Sequence, residues 1–108
     1  MKFIVKNNFK ESIASLMRKV GYRLQGKNEE RKEFIFIRPL GRGGYPRFHI
    51  YLRTSEQAQQ IFLNLHLDQK KPSYKGAPAH SADYEGEVVE NEAKRIKQVL
   101  QKENNCNQ

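Results

Sequence analysis

Cysteine is almost absent from the sequence. The chain of 108 residues contains one cysteine, Cys106, which lies in a polar C-terminal stretch. A single cysteine cannot form an intramolecular disulfide, and it cannot build a zinc site of the cysteine type. This composition favours the reducing cytoplasm as the compartment.

Long hydrophobic runs are also missing. The longest uninterrupted run of aliphatic and aromatic residues is Phe34–Ile37, and residues 1–8 lack the apolar stretch and cleavage site of a signal peptide. We therefore expect neither a membrane span nor an export signal. With 37% hydrophobic residues among 108, the chain can close one core, which excludes a multidomain enzyme. The expected organisation is a single domain over residues 1–102 and a disordered polar tail over 103–108.

Acidic residues are scarce in the first half of the chain. Residues 1–54 carry 13 basic and 4 acidic side chains, whereas residues 55–108 carry 7 and 8. Four arginines, without a lysine or an acid, lie in the segment from Arg38 to Arg53. Because the planar guanidinium group suits phosphates and stacked bases, this cluster favours a nucleic acid as the partner, RNA rather than DNA. An ordinary solvated basic face is the alternative.

Hydrophobic periodicity predicts two helices. Apolar residues recur at helical spacing from Phe9 to Val20, so a helix is expected over residues 9–20, with Asn8 and Glu11 as its capping pair. A second helix is expected to begin near residues 85–87, because four apolar residues beyond that point fall on one helical face. They are Val89, Ala93, Ile96 and Leu100.

The predicted strands are residues 22–25, 33–38, 47–53 and 61–68, and residues 3–5 form a possible short one. This order predicts an α+β two-layer sandwich. A three- to four-stranded antiparallel sheet would carry an N-terminal and a C-terminal helix on one face. Residues 69–84 are predicted to form a long loop that wraps around an edge or end of the sheet.

Side-chain alternation divides the strand residues between two faces. One face is wholly apolar and is predicted to lie under the helices: Ile35, Ile37, Phe48, Ile50, Leu52, Ile61, Leu63, Leu65 and Leu67. The other face is mixed: Phe34, Phe36, Arg38, Arg47, His49, Tyr51, Arg53, Phe62, Asn64, His66 and Asp68. If both faces are kept, the hairpin formed by residues 33–38 and 47–53 pairs Phe36 with His49. In the next hairpin His49 pairs with His66 or with the residue two positions away.

The mixed face is predicted to bind RNA, because exposed aromatics with interleaved arginines stack bases and clamp phosphates. The expected binding residues on this face and its flanking loops are Phe36, Arg38, Arg42, Arg47, His49, Tyr51, Arg53, Asn64, His66, Lys70, Lys71, Tyr74 and Lys75. One alternative is a wet sheet surface without a ligand, in which the long loop shields Phe36 and Phe62. Another is a protein-interaction module whose basic face docks an acidic partner. No membrane partner is indicated, and the oligomeric state is left open.

A glycine-rich segment, Gly41-Arg42-Gly43-Gly44, lies between two predicted strands. It is either a flexible hairpin loop or a backbone that closely approaches a ligand phosphate, with Arg42 reaching over it. It does not continue into the Gly-Lys-Ser/Thr of a nucleotide-binding phosphate loop.

An enzymatic function is a further hypothesis: a small phosphodiesterase or nuclease in which His49 and His66, with near-neutral pKa values, act as acid and base. A metal-assisted form would use His66, Asp68 and His80, with His49 as a further donor, and these ligands suit zinc, manganese or iron. In the competing interpretation Asp68 ends a strand, His80 is a loop residue and Asp83 caps the second helix. No cofactor is expected.

Two resemblances accompany these patterns. The segments Tyr45–His49 and His66–Lys70, together with Ala79-His80, resemble a family of small uncharacterised bacterial proteins, which implies no activity. The order of helix, three-stranded sheet and helix resembles the double-stranded-RNA-binding-like fold of the HicA toxins. Those toxins carry a Gly-Ser-His motif early in the sheet, whereas this chain has Gly26-Lys27-Asn28. The HicA resemblance therefore implies a fold but not that family's catalytic histidine.

Overall fold

The computed structural model describes residues 1–69, 82–83 and 86–106 of the chain. Its elements, in chain order, are β1 (Lys2–Lys6), α1 (Ile13–Val20), β2 (Arg23–Asn28), β3 (Glu33–Pro39), β4 (Arg47–Ser55), β5 (Gln60–Asp68), β6 (Ala82–Asp83) and α2 (Glu87–Cys106). The five longer strands form an antiparallel sheet in the order β1-β5-β4-β3-β2, and β6 pairs with the end of β5. The predicted α+β class is therefore confirmed.

The sheet has more strands than the three or four expected. The additional strand is β1, which contains the possible short strand predicted over residues 3–5; it pairs with β5 and places Phe3 opposite Leu63 and Val5 opposite Ile61. All four side chains belong to the buried core. Burial of these apolar pairs explains why the short N-terminal segment joins the sheet.

Helix α1 begins four residues later than predicted. Its N-cap is Ser12, whose side chain accepts a hydrogen bond from the backbone N–H of Ser15, and it ends at Gly21 with φ of 102°. Asn8 is not the cap, because the helix begins at Ile13; its backbone N–H donates to the side-chain oxygen of Asn104, 3.3 Å away. The predicted capping partner Glu11 accepts hydrogen bonds from the side chains of Ser15 and Lys19.

Helix α2 confirms the predicted apolar stripe, since Val89, Ala93, Ile96 and Leu100 are all buried. The helix runs to Cys106, into the stretch expected to be a disordered tail. The side-chain amide of Asn104 donates to the backbone carbonyl of Lys6, which fixes this last part of the helix against β1. Neither helix of the described ranges is long and apolar enough to cross a membrane.

Strands β4 and β5 have the faces that alternation predicts. They pair His49 with His66 and Tyr51 with Asn64, which is one of the two predicted registers. Their apolar residues, among them Ile50 and Leu65, lie in the core with both helices.

Strand β3 has the opposite orientation to the one predicted. Phe36 pairs with Ile50 and Ile37 pairs with His49, so Phe36 faces the helices and Ile37 faces away from them. Phe36 is completely buried in the core. The prediction failed because residues 34–37 read Phe-Ile-Phe-Ile, and either alternate pair is apolar enough to cover a core. The larger phenylalanine side chains bury more apolar area there.

The reversed register also moves Arg38 to the helix side. There it joins a buried polar network centred on Glu92 of α2, a carboxylate that is 5% exposed. Glu92 accepts hydrogen bonds from Tyr22 at 2.7 Å and Arg38 at 3.1 Å. It also accepts two from Arg95, at 2.7 and 2.9 Å. Arg38 therefore connects the sheet to α2, and its predicted position on the mixed face is wrong.

Candidate functional site

The face of the sheet turned away from the helices is called the distal face. It carries side chains from all five longer strands, because residues paired directly across strands lie on the same face. They include Lys2, Ile4, Ile35, Ile37, Arg47, His49, Tyr51, Arg53, Phe62, Asn64, His66 and Asp68. The distal face thus combines a histidine-containing cluster at one end with aromatic and cationic side chains at the other.

The histidine cluster consists of His49, His66 and Asp68. His49 Nδ1 lies 2.6 Å from Asp68 Oδ2, and His66 Nδ1 lies 3.6 Å from Asp68 Oδ1. The two imidazole rings lie directly opposite each other on β4 and β5, with their centroids 4.3 Å apart. An ionised carboxylate only accepts hydrogen bonds, so His49 Nδ1 donates to Asp68. The predicted convergence of the two histidines is therefore confirmed, and Asp68 joins them.

Burial and the neighbouring groups set the protonation of His49 and Asp68. Burial, followed by the nearby His66 ring, lowers the pKa of His49 to about 4, although Asp68 opposes this shift. Burial would raise the pKa of Asp68, but hydrogen bonding and charge from the neighbouring imidazole and guanidinium groups hold it below its usual value. At pH 7 the His49 ring is neutral and Asp68 is ionised. The near-neutral pKa expected for His49 is wrong, because the sequence does not reveal how deeply the ring is buried.

Arg47 is part of the same end of the distal face. Its Nε lies 3.7 Å from Asp68 Oδ2, and the side chain is 19% exposed. The guanidinium group also lies over the ring of Tyr45, 4.5 Å from the centroid. Arg47 is therefore held against Asp68, and it contributes positive charge to the cluster.

Tyr51 connects the cluster to the rest of the distal face. Its ring stacks on His66 with a centroid distance of 5.3 Å and an interplanar angle of 28°. It also lies 5.0 Å from the ring of His49. The half-buried Tyr51 side chain therefore contacts the cluster and also lines a neighbouring groove.

A groove of about 950 Å³ follows on the other side of Tyr51. Its walls include two aromatic rings, three cationic side chains, an amide, an exposed isoleucine and two carboxylates. These are Tyr51, Phe62, Lys2, Arg31, Arg53, Asn64, Ile4, Glu30 and Glu33. The two rings are half-buried and the three cations are exposed, so the groove has flat apolar surfaces next to positively charged groups.

The structure brings together six of the predicted binding residues on the distal face: Arg47, His49, Tyr51, Arg53, Asn64 and His66. Phe36 and Arg38 lie on the helix side, as described above. Arg42 is exposed in the loop between β3 and β4. The remaining predicted residues, Lys70, Lys71, Tyr74, Lys75 and His80, lie outside the described residues.

The glycine-rich loop has its own structural requirements. A Cβ atom on Gly41 would come within 2.7 Å of the backbone oxygen of Tyr45, and Gly44 has φ of 83°. Both positions therefore need glycine for the path of the loop itself. These observations favour the hairpin-loop interpretation of the segment. Asp83, the expected cap of the second helix, instead lies in β6 opposite Leu67.

Sequence reasoning missed several residues that line the groove. Lys2 and Ile4 could have been found, because residues 2–6 alternate and the buried Phe3 and Val5 leave them on the other face. Arg31 lies in the turn between β2 and β3, where no periodicity exists to place it.

Comparisons with known proteins assign neither a family nor a function to the chain. No protein-family model matches the chain, and neither the curated proteins nor the solved structures contain a significant match. The distal face alone therefore carries the functional argument.

Proposed function

We propose that the protein binds single-stranded RNA in the groove of the distal face. One observation carries the proposal: the rings of Tyr51 and Phe62 share a groove with Lys2, Arg31 and Arg53. Unpaired bases stack on aromatic rings, and lysine and arginine side chains follow the phosphate backbone.

The groove is large enough for a ligand of nucleotide size. Pockets for small-molecule ligands commonly measure about 300–1,000 Å³, and a groove of about 950 Å³ is at the upper end of that range. Each stacked base contributes about 1–3 kcal/mol. Two half-buried rings can therefore supply much of the binding free energy without reading a particular base.

The charge of the groove predicts moderate and salt-dependent binding. Three cations face two carboxylates, Glu30 and Glu33, within the groove, and the whole chain carries a net charge of +8. Three phosphate contacts to a single strand give a slope of roughly −2 for the logarithm of affinity against the logarithm of salt concentration.

Fluorescence anisotropy with labelled single-stranded and duplex RNA at two salt concentrations tests the proposal. The combined variant Lys2→Gln, Arg31→Gln and Arg53→Gln should weaken binding of single-stranded RNA and flatten its salt dependence. A matched triple variant on exposed residues that do not line the groove loses the same charge and should bind nearly as the wild type does: Lys10→Gln, Arg18→Gln and Lys94→Gln. Equal losses in both triple variants, or no binding at low salt, would refute the proposal.

A second candidate function is phosphodiester cleavage. The observation that favours it is the position of the histidine cluster, which adjoins the groove through the stacked pair of Tyr51 and His66. A strand bound in the groove would then place a phosphate near His49 and His66. Incubation of RNA with wild type and with His66→Gln, each with and without Mn²⁺, tests this function. Cleavage that is absent, or equal in both proteins, would exclude it.

A further inference from the structure

We propose that His49, His66 and Asp68 bind one divalent transition-metal ion of the zinc, manganese or iron class. Imidazole nitrogen and carboxylate oxygen together are ligands that suit these ions. The three donor atoms all lie within 4.8 Å of one another. Metal binding by these three side chains does not depend on RNA binding.

The separations within the cluster agree with a metal site. Metal–ligand bonds of about 2.1 Å place neighbouring donors about 3–3.5 Å apart. One separation in the cluster is shorter than this range, at 2.6 Å from His49 Nδ1 to Asp68 Oδ2, and the other is slightly longer, at 3.6 Å from His66 Nδ1 to Asp68 Oδ1. A bound ion therefore requires side-chain adjustments on the order of 1 Å, and it takes the place of the proton on His49 Nδ1, which moves to Nε2.

The backbone holds the three donors in position. His49 and His66 form a directly paired position of β4 and β5, and both strands lie in the interior of the sheet. Asp68 follows His66 by two residues on the same strand, so its side chain points to the same face. Ligands on paired strands lose little conformational freedom when an ion binds, which favours affinity.

The two carboxylate oxygens of Asp68 have different neighbours. Arg47 approaches Oδ2 at 3.7 Å, on the side where His49 also donates. Oδ1 faces His66 instead. Three protein ligands also leave coordination positions for water or another ligand, as in catalytic zinc sites.

Calorimetric titration with Zn²⁺ and the visible absorption of bound Co²⁺ test the site. The protein should be metal-free, lack a polyhistidine tag and carry Cys106→Ser, which removes a competing thiol. We expect one equivalent to bind, and we expect Asp68→Asn and His66→Gln to weaken Zn²⁺ affinity at least about tenfold. Glu56→Gln makes the same carboxylate-to-amide change at an exposed turn residue and should leave the affinity unchanged.

Two results would overturn the inference: no stoichiometric binding by this protein, or equal affinities of the Asp68→Asn and Glu56→Gln variants. Circular dichroism shows whether each variant folds. If the cluster variants do not fold, NMR of the intact chain still decides the question. Zn²⁺ should then shift the ring nitrogens of His49 and His66, and unshifted resonances at saturating Zn²⁺ would contradict the site.

Discussion

Replacing the buried carboxylate of Glu92 tests why Arg38 faces the helices. Glu92→Gln keeps the shape of the side chain but removes the charge that Tyr22, Arg38 and Arg95 contact. Breaking a fully buried ion pair costs about 3–5 kcal/mol. The two arginine side chains are 33% and 36% exposed, and water partly replaces their lost contacts. We therefore expect the free energy of unfolding to fall by about 2–3 kcal/mol. Each hydrogen bond to a charged group contributes about 1.5–3 kcal/mol, and the contributions of several such bonds to one carboxylate are not additive.

Urea unfolding at pH 7 measures this loss, and thermal unfolding should show a decrease in Tm of roughly 10 °C. Glu90→Gln, the same change at an exposed position of the same helix, is the matched control and should stay within about 0.5 kcal/mol of wild type. Equal stabilities of the two variants would refute the reasoning.

The pH dependence provides a second check on Glu92. Burial would raise the pKa of Glu92, but hydrogen bonds from Arg95 and Tyr22 outweigh it, and the pKa lies below the usual value of 4.5. A carboxyl group with a lowered pKa in the folded state stabilises the fold above its unfolded-state pKa. That stabilisation is lost as the pH falls through the folded-state pKa. The difference between wild type and Glu92→Gln should therefore be constant near neutral pH and shrink in the acid range below pH 4.5.

Urea unfolding of three further sets of variants tests the register of β3, the glycine-rich loop and the N-cap of α1. Phe36→Ala should cost about 3–5 kcal/mol, because the ring is fully buried in the core; a loss below about 1 kcal/mol would contradict the register of β3. Gly41→Ala should destabilise by more than about 1 kcal/mol, whereas Gly43→Ala, with nothing within 4 Å of its Cβ, should be nearly neutral. Ser12→Ala should cost about 1 kcal/mol and Asn8→Ala much less, since Ser12 caps α1. A larger loss for Asn8→Ala than for Ser12→Ala would show that Asn8 is the cap instead.

Strands β4 and β5 show what the sequence can predict. Their residues alternate between clearly apolar and clearly polar types, so a shift of register by one residue would bury a face rich in charged and polar groups. This contrast was enough to predict that His49 and His66 share one face, and it left two registers, of which the structure has the one that pairs them directly.

Strand β3 shows where the same method fails. Its Phe-Ile-Phe-Ile run has no polar face, and the choice depends on how the larger rings fill the space under the helices. The position of Arg38 follows from its pairing with Glu92, a residue 54 positions further along the chain. Arg31 reaches the groove from a turn, and its position also depends on tertiary structure.

The decisive measurement for the groove is single-stranded RNA binding as a function of salt concentration. Wild type should bind with a slope of roughly −2. The variant lacking the charges of Lys2, Arg31 and Arg53 should bind more weakly with a flatter slope, while the matched control variant should retain both affinity and slope. Binding that is absent at low salt, or that falls equally in both variants, would contradict the assignment of the groove as the RNA site.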